Sequence, residues 1–359
     1  MKLLAIRLDS AGDVLMCSPA LRALHEHGHQ VTLLTSAAGA LAGERIDGVA
    51  DVICWAAPWM KASAALTAGC VPAMAAQLRQ QGFDGAVIFT SYSQSALPAA
   101  LLCQMAGIPL RLAHCRENPY QLLTHWVRES EPAQRLRHEV ERQADLVAQL
   151  GCRPASMRLS VRIDADDRAQ ARAALYAAGI DPDSGWILLH PGASAASRRY
   201  PATHWRDAAH LLARHAGLPL VFAGSHDDVE RVREIIGDGR SGHAARWPSL
   251  AGRLDFGGLA ALVQMARVLV ACNSAPAHLA AATGTPVADL YALTNPQHAP
   301  WQVRHRLLYQ PVPCHDCYQS VCPYGDARCL SGVDPREVLQ AVQELIGTPL
   351  PSSVTGGSR

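Results

Sequence analysis

Five short stretches of this chain carry residue types and spacings suited to chemistry. The first is Asp9-Ser10-Ala11-Gly12-Asp13, two carboxylates and a hydroxyl around a glycine. A carboxylate in such a turn can take a proton or cap the helix that follows. Residue type alone favours the cap for Asp13, and Asp9 competes for either role. The second stretch runs from His190 to Pro201. Gly192 and its small neighbours let backbone N–H groups approach an anion, Ser194 and Ser197 add hydroxyls, and Arg198 and Arg199 add planar forks that match phosphate. A solvated loop is the alternative. The third is Cys272-Asn273-Ser274-Ala275-Pro276-Ala277-His278. Asn273 or Ser274 can cap a helix, Pro276 suits its first turn, and the helix N-terminus suits phosphate or a sugar hydroxyl. An ordinary capped helix, with His278 a partly buried neighbour, fits equally. The fourth, Gly224-Ser225, leaves room for a ribose or a base, or is a plain turn. The fifth is Cys314-x2-Cys317-x4-Cys322-x6-Cys329, with His315 inside it. Where thiols stay reduced, four thiolates suit structural Zn²⁺ or iron. Free thiols or a single disulfide are the alternative.

The first four stretches lie where strands are predicted to end. Apolar runs predict strands at 2–8, 30–35, 49–55 and 85–90, with helices at 14–25, 72–81, 95–105 and 131–150. Residues 159–163 read as extended and 164–178 as a helix. The alternation then restarts, with strands at 186–190, 219–223, 268–272 and 287–291. Helices are predicted at 204–215, 227–236, 257–266, 276–282 and 335–346. Strands alternating with helices imply an α/β fold with parallel sheets. Two Rossmann-like halves are expected, 1–165 and 166–347, the Cys-rich segment 314–329 belonging to the second. A Ser/Gly-rich disordered tail is expected at 348–359. Ligands of open α/β sheets sit beyond the carboxyl ends of the strands, where these loops fall.

Bulk properties narrow the classes. The chain has 359 residues, 49% of them hydrophobic and 18% charged, with a net charge of +1. That balance argues against a dedicated nucleic-acid binder, which would normally carry a basic face, and leaves room for a local basic site. No secretory leader precedes the first strand, and no run of about 18 apolar residues exists, so a cytoplasmic location is expected. Neither G-x-G-x-x-G nor G-x-x-x-x-G-K-[ST] follows a first strand, which weakens dehydrogenase and NTPase readings.

Together the motifs resemble glycosyltransferase family 9, the ADP-heptose:lipopolysaccharide heptosyltransferases. The resemblance rests on Ile6 to Leu15 with Ser18-Pro19-Ala20-Leu21, on His190-Pro-Gly-Ala with Arg198-Arg199-Tyr200-Pro201, on Asn273 to Pro286, and on Thr294-Asn295-Pro296. It implies a GT-B architecture, two Rossmann-like domains facing a central cleft. It further implies inverting transfer of heptose from ADP-heptose, with Asp13 as general base and no cofactor required for catalysis. Donor contacts are then expected from Ser194, Ser197, Arg198, Arg199, Gly224, Ser225, Asn273, Ser274, Ala275, His278 and Thr294. The acceptor is expected in the first half, against Ser10, Gly12 and Arg116, with Arg111 and Arg128 as further basic candidates. Arg198 stands where the family usually has lysine, Asn273 where it often has aspartate, and Ala275 where it has glycine. The acceptor is expected to be a lipopolysaccharide core sugar or related glycan, lipid-linked and met by peripheral membrane contact, or else a small molecule or protein. A sugar-nucleotide epimerase and a non-catalytic nucleotide-sugar-binding protein are the competing readings.

Overall fold

A sheet made of near-continuous apolar runs must be covered on both faces, and this chain builds two such sheets. The computed structural model describes residues 1–60, 69–237 and 247–347. The expected tail at 348–359 lies outside them. The first sheet holds β1 (Lys2–Arg7), β2 (Gln30–Thr35), β3 (Val49–Cys54), β4 (Gly85–Ile88), β5 (Leu110–Cys115) and β6 (His125–Arg128). All pairs are parallel, in the order β3-β2-β1-β4-β5-β6. Its helices are α1 (Ala11–Met16), α2 (Ser18–Glu26), α3 (Ala37–Gly43), α4 (Cys70–Gln81), α5 (Leu97–Met105) and α6 (Glu139–Ala148).

The second sheet holds β7 (Ile187–His190), β8 (Leu220–Phe222), β9 (Val268–Cys272), β10 (Val287–Leu290) and β11 (His305–Leu308), again parallel, in the order β11-β10-β9-β7-β8. Around it lie α7 (Ala165–Ala177), α8 (Ala202–His215), α9 (Val229–Ile236), α10 (Phe256–Met265), α11 (Ala275–Thr283), α12 (Arg328–Ser331) and α13 (Pro335–Gly347).

Three expectations need correcting. The helix predicted over 14–25 is two helices, parted at Cys17. Pro19 sits in the first turn of α2 and has no N–H to carry α1 onward. The helix predicted from 131 begins only at Glu139, capped by the His138 ring, which accepts from Val140 N–H at 3.2 Å. Residues 159–163 are irregular and join no ladder. Strands β5, β6 and β11 and helix α3 were not expected from the sequence.

One apolar core runs through both halves. Val14, Leu15, Leu21 and Leu24 of the first half and Leu262 and Leu279 of the second belong to the same buried cluster. At Gly12 the two halves pack tightly. A Cβ there would lie 2.7 Å from His278 Cδ2 and 3.4 Å from Ala275 Cα, so glycine is what lets α1 meet α11. Gly12→Ala should cost about 1–3 kcal/mol through overpacking, read as a lowered Tm. An unchanged Tm would mean that α1 and α11 move apart freely. At the other end Arg45 grips Asp167 with contacts of 2.5 and 3.0 Å, tying the loop before β3 to α7.

In each sheet the strand order reverses once. The reversal falls between β1 and β4 in the first and between β7 and β9 in the second. Such switch points open a crevice outside the carboxyl ends. The Asp9–Asp13 turn follows β1. The Pro191–Arg199 loop follows β7 and the Asn273–Ser274 turn follows β9.

Candidate active site

Loops from both sheets line one cavity of about 680 Å³. Arg7, Asp9, Asp13, Trp59, Phe89 and Gln94 form its first wall, and Arg198, Asn295, His298 and Tyr318 form the opposite one.

Arg7, the last residue of β1, organises the first wall. It is 1% exposed and meets three carboxylates. Nε lies 2.9 Å from Asp9 Oδ2, Nη2 lies 3.1 Å from Asp13 Oδ1, and Nη1 lies 2.9 Å from Glu139 Oε1. Asp9 also accepts from Gln94 Nε2 at 2.6 Å. Asp13 Oδ2 accepts from the Ser10 N–H at 3.1 Å and the Ser10 hydroxyl at 2.6 Å. Ser10 is thus the N-cap of α1, and Asp13, three residues on, closes the same turn. The capping chemistry expected of Asp13 is present, one turn position away from where residue type would put it. Its side chain keeps 18% of its surface open, so a substrate can reach it.

Burial pushes the Asp13 carboxyl up, but the Arg7 guanidinium, His298 and the Ser10 hydrogen bonds outweigh it and hold the group well below the usual carboxylate range. Glu139 is lowered in the same way, with burial opposed by Arg7 and Arg142. Asp9 is raised, because burial and the neighbouring Asp13 charge exceed the pull of Arg7. The turn therefore holds one firmly ionised, accessible carboxylate, Asp13.

On the second wall Arg198 Nη2 donates to Asn295 Oδ1 at 2.7 Å, and its Nε is buried with no hydrogen-bond partner among the described residues. The loop carrying it is fastened from behind. The Ser197 hydroxyl donates to Gln319 O at 2.6 Å and its N–H to Ser320 O at 3.1 Å. Arg199 Nε donates to Ala193 O at 2.9 Å, closing the loop on itself. Ser194 is exposed. Cβ atoms at Gly192 and Gly224 would strike Asp228, at 2.3 and 2.7 Å, and Ser225 binds that carboxylate through both N–H and hydroxyl.

Asn273 is pinned. Its amide donates to Ala292 O and accepts from Ala292 N–H, each at 3.3 Å, which locks the ends of β9 and β10 together. Ser274 occupies the N-cap position of α11 without capping it, since its hydroxyl donates to Gly192 O and Cys272 O. Ala275 opens α11 beneath Gly12. His278 is buried against Gly12, and burial followed by the proximity of His298 lowers its imidazole to about 3. The Thr294 hydroxyl is buried with no hydrogen-bond partner among the described residues.

The basic candidates of the first half make their contacts within that half. Arg116 donates to Tyr92 O and Glu131 O at 2.9 and 2.7 Å. Arg111 donates to Leu122 O and Ile108 O at 2.7 and 2.5 Å, and Arg128 lies over the Trp126 ring. Sequence reasoning did not single out Arg7, Glu139, His298 or Tyr318. Only an arginine at the end of an otherwise apolar strand, just before the Asp9 turn, offered a signal.

Tyr318 belongs to the Cys-rich segment, which folds over the second wall. Asp316 and Tyr318 take left-handed backbone angles, φ 55 and 52, that non-glycine residues rarely adopt. Their N–H groups hold them there by donating to Leu293 O at 2.8 Å and Thr294 O at 3.1 Å. The Tyr318 ring meets Tyr92 edge-on at 5.6 Å, crossing from one half to the other. Cys314, Cys317, Cys322 and Cys329 all line one small cavity of about 30 Å³ beside Ser197 and Thr294. None is in a disulfide. Among the described residues no three His, Cys, Asp or Glu side chains are arranged to hold a metal ion. The four thiols therefore gather around one cavity, as expected.

A sequence profile of glycosyltransferase family 9 (heptosyltransferase) matches residues 71–327. The chain is 25% identical over 243 residues to lipopolysaccharide heptosyltransferase 1 of Pseudomonas aeruginosa, a match spanning 64% of each chain. It is 32% identical over 165 residues to lipopolysaccharide heptosyltransferase 3 of Escherichia coli, across 42% of each. In both, the match spans less than two thirds of the relative's length. The crystal structure of a family 9 glycosyl transferase from Veillonella parvula superposes with a TM-score of 0.78 at 19% identity, covering 96% of this chain and 97% of that one. The E. coli ADP-heptose lps heptosyltransferase II gives a TM-score of 0.73 at 22% identity, covering 96% and 98%. At these identities the likeness establishes the fold, a GT-B arrangement of two Rossmann-like domains facing a central cleft.

Proposed function

Because this chain belongs to glycosyltransferase family 9, the heptosyltransferases, we propose that it transfers heptose from ADP-heptose, with inversion, to a hydroxyl of a lipopolysaccharide core sugar or related glycan. One observation carries the reading. An ionised, accessible Asp13 and the Arg198 guanidinium face a single cavity from opposite switch points. Asp13 takes the proton of the acceptor hydroxyl as that oxygen attacks the anomeric carbon. Arg198 receives the charge that develops on the departing diphosphate. The buried Nε of Arg198, without a partner among the described residues, supports this, because a desolvated guanidinium donor is ready for an anionic oxygen.

The nucleotide end lies toward the loop of Ser194, Ser197 and Arg199 and toward Gly224 and Ser225. The sugar lies toward the Asn273-Ser274-Ala275 turn, His278 and Thr294. The acceptor enters between the turn of Ser10 and Gly12, which presents Asp9 and Asp13 to the cavity, and the aromatic wall of Trp59 and Phe89. Among the described residues no helix is long and apolar enough to cross a membrane, so a lipid-linked acceptor would be met at a surface. A small-molecule or protein hydroxyl would pass through the same chemistry.

Arg198→Ala should weaken ADP binding by about 10- to 100-fold, the loss of a hydrogen bond from a charged donor, with the fold intact. Calorimetric titration with ADP reads this directly, and unchanged ADP affinity would remove the diphosphate from Arg198. Thermal-shift comparison of ADP-, GDP- and UDP-sugars tests the base, and a larger stabilisation by a GDP- or UDP-sugar would overturn the ADP assignment.

A further inference from the structure

Asp13 is well placed to lift a proton and poorly placed to keep it. Its two oxygens already accept three hydrogen bonds, from Arg7, the Ser10 N–H and the Ser10 hydroxyl. Protonation would set those donors against a neutral acid, so a second base nearby would complete the step.

The cavity contains one. His298 ends the short turn Pro296–His298 on the opposite wall and lines the same cavity as Asp13. Its Nε2 is buried and has no hydrogen-bond partner among the described residues, although buried polar atoms are almost always bonded. The charged and titratable groups facing it come from every element around it. They are Asp13 on α1, Arg7 on β1, His138 and Glu139 at the start of α6, Arg198 on the donor loop, His278 on α11 and Tyr291 after β10.

We propose that His298 is the final acceptor of the hydroxyl proton, which Asp13 passes on to its Nε2. This rests on the glycosyl-transfer reading above. The acceptor O–H bond breaks as its oxygen lone pair forms the new bond to the anomeric carbon. The bond from that carbon to the diphosphate oxygen breaks, and its electron pair leaves with ADP. The proton moves to Asp13 and then to His298, which becomes an imidazolium until solvent removes the proton. Burial keeps the resting ring neutral, below its ordinary titration range. Asp13 and Glu139 favour the imidazolium more strongly than Arg198 and Arg7 oppose it. A diphosphate seated on Arg198 reduces that opposition further, so the ring gains basicity only when donor is bound.

The test follows ADP release from ADP-heptose between pH 5 and 9, with heptose-deficient lipopolysaccharide as acceptor and with water alone. Wild type, His298→Gln and His298→Ala are compared, with ADP affinity and Tm measured alongside. In wild type kcat should fall toward the acid end of that range as the ring protonates, below the ordinary imidazole range because of burial. His278 and His138, lowered by burial to about 3 and about 4, titrate below that range. His298→Gln should lose about 10- to 100-fold in kcat, keep ADP affinity and Tm, and lose that acid limb. Added imidazole should restore part of the rate to His298→Ala. A uniform loss at all pH values with the limb retained would assign His298 a packing role and overturn the proposal, as would a His298→Gln variant within threefold of wild type. A wild type that binds ADP-heptose but releases no ADP with either acceptor would overturn the transfer reading, and this inference with it.

Discussion

Asp13→Asn should lower transfer by about 10²- to 10⁴-fold, the usual contribution of a general base, while ADP-heptose affinity stays within about twofold. The substitution is nearly isosteric. Asn can still accept through its Oδ1 from Arg7 or from Ser10, so the turn should keep its shape. The remaining amide cannot take a proton. Steady-state kinetics with a parallel donor titration separates the two effects. Turnover within tenfold of wild type would remove Asp13 from the base role, and a matching loss of donor affinity would make it a donor-site residue instead.

The largest effect on stability is expected at Arg7. Arg7→Met would leave Asp9, Asp13 and Glu139 facing one another around an apolar chain, with Glu139 wholly buried. Breaking a buried pair in this way costs about 3–5 kcal/mol, read as a lower urea midpoint at pH 7. The pH dependence has a definite sign. Asp13 and Glu139 have folded-state values below those of the unfolded chain. Their contribution is present above about pH 4, the unfolded carboxylate range, and is lost as pH falls through the folded values. Asp9, raised in the folded state, runs the other way. The gap between wild type and Arg7→Met should therefore narrow in acid, as protonation empties the cluster of charge. A gap that is constant from pH 7 to pH 3 would mean that Arg7 acts through packing rather than charge.

Much of the fold was legible because fully buried parallel strands are short apolar runs. Strands β2 and β9 begin and end where the residues predict. The missed strands break that rule for physical reasons. In β5, Leu-Arg-Leu-Ala-His-Cys carries Arg111 and His114 among its apolar residues, and β6 is an exposed edge strand, His-Trp-Val-Arg. The polar stretch before α6 read as helix because its Glu and Arg residues suggest a solvated face. In the structure Glu129 and Glu131 are buried, paired with Arg142 and Arg137. The loops of the candidate site were visible as turns at strand ends, and the family resemblance assigned them roles. Their coordination was not visible. Arg7 and Glu139 are 132 residues apart and meet only because α6 packs back over β1. His298 and Tyr318 lie in irregular segments that no periodicity marks. Asn273 was legible as a turn residue, but not the pairing of its amide with Ala292 across the ends of β9 and β10.

The Arg7 cluster also bears on how a donor enters. Three carboxylates share one guanidinium on the first wall, while Arg198 stands on the second with its nearest hydrogen-bond partner a neutral amide. Across the width of one cavity the field therefore runs from negative to positive. A nucleotide-sugar carries its charge at the diphosphate and none on the sugar, so it is itself a polar rod. Under the proposed reading, that rod would be turned, before any hydrogen bond forms, with its phosphates away from Asp13 and its sugar toward it. The cleft would then act as a compass for the donor.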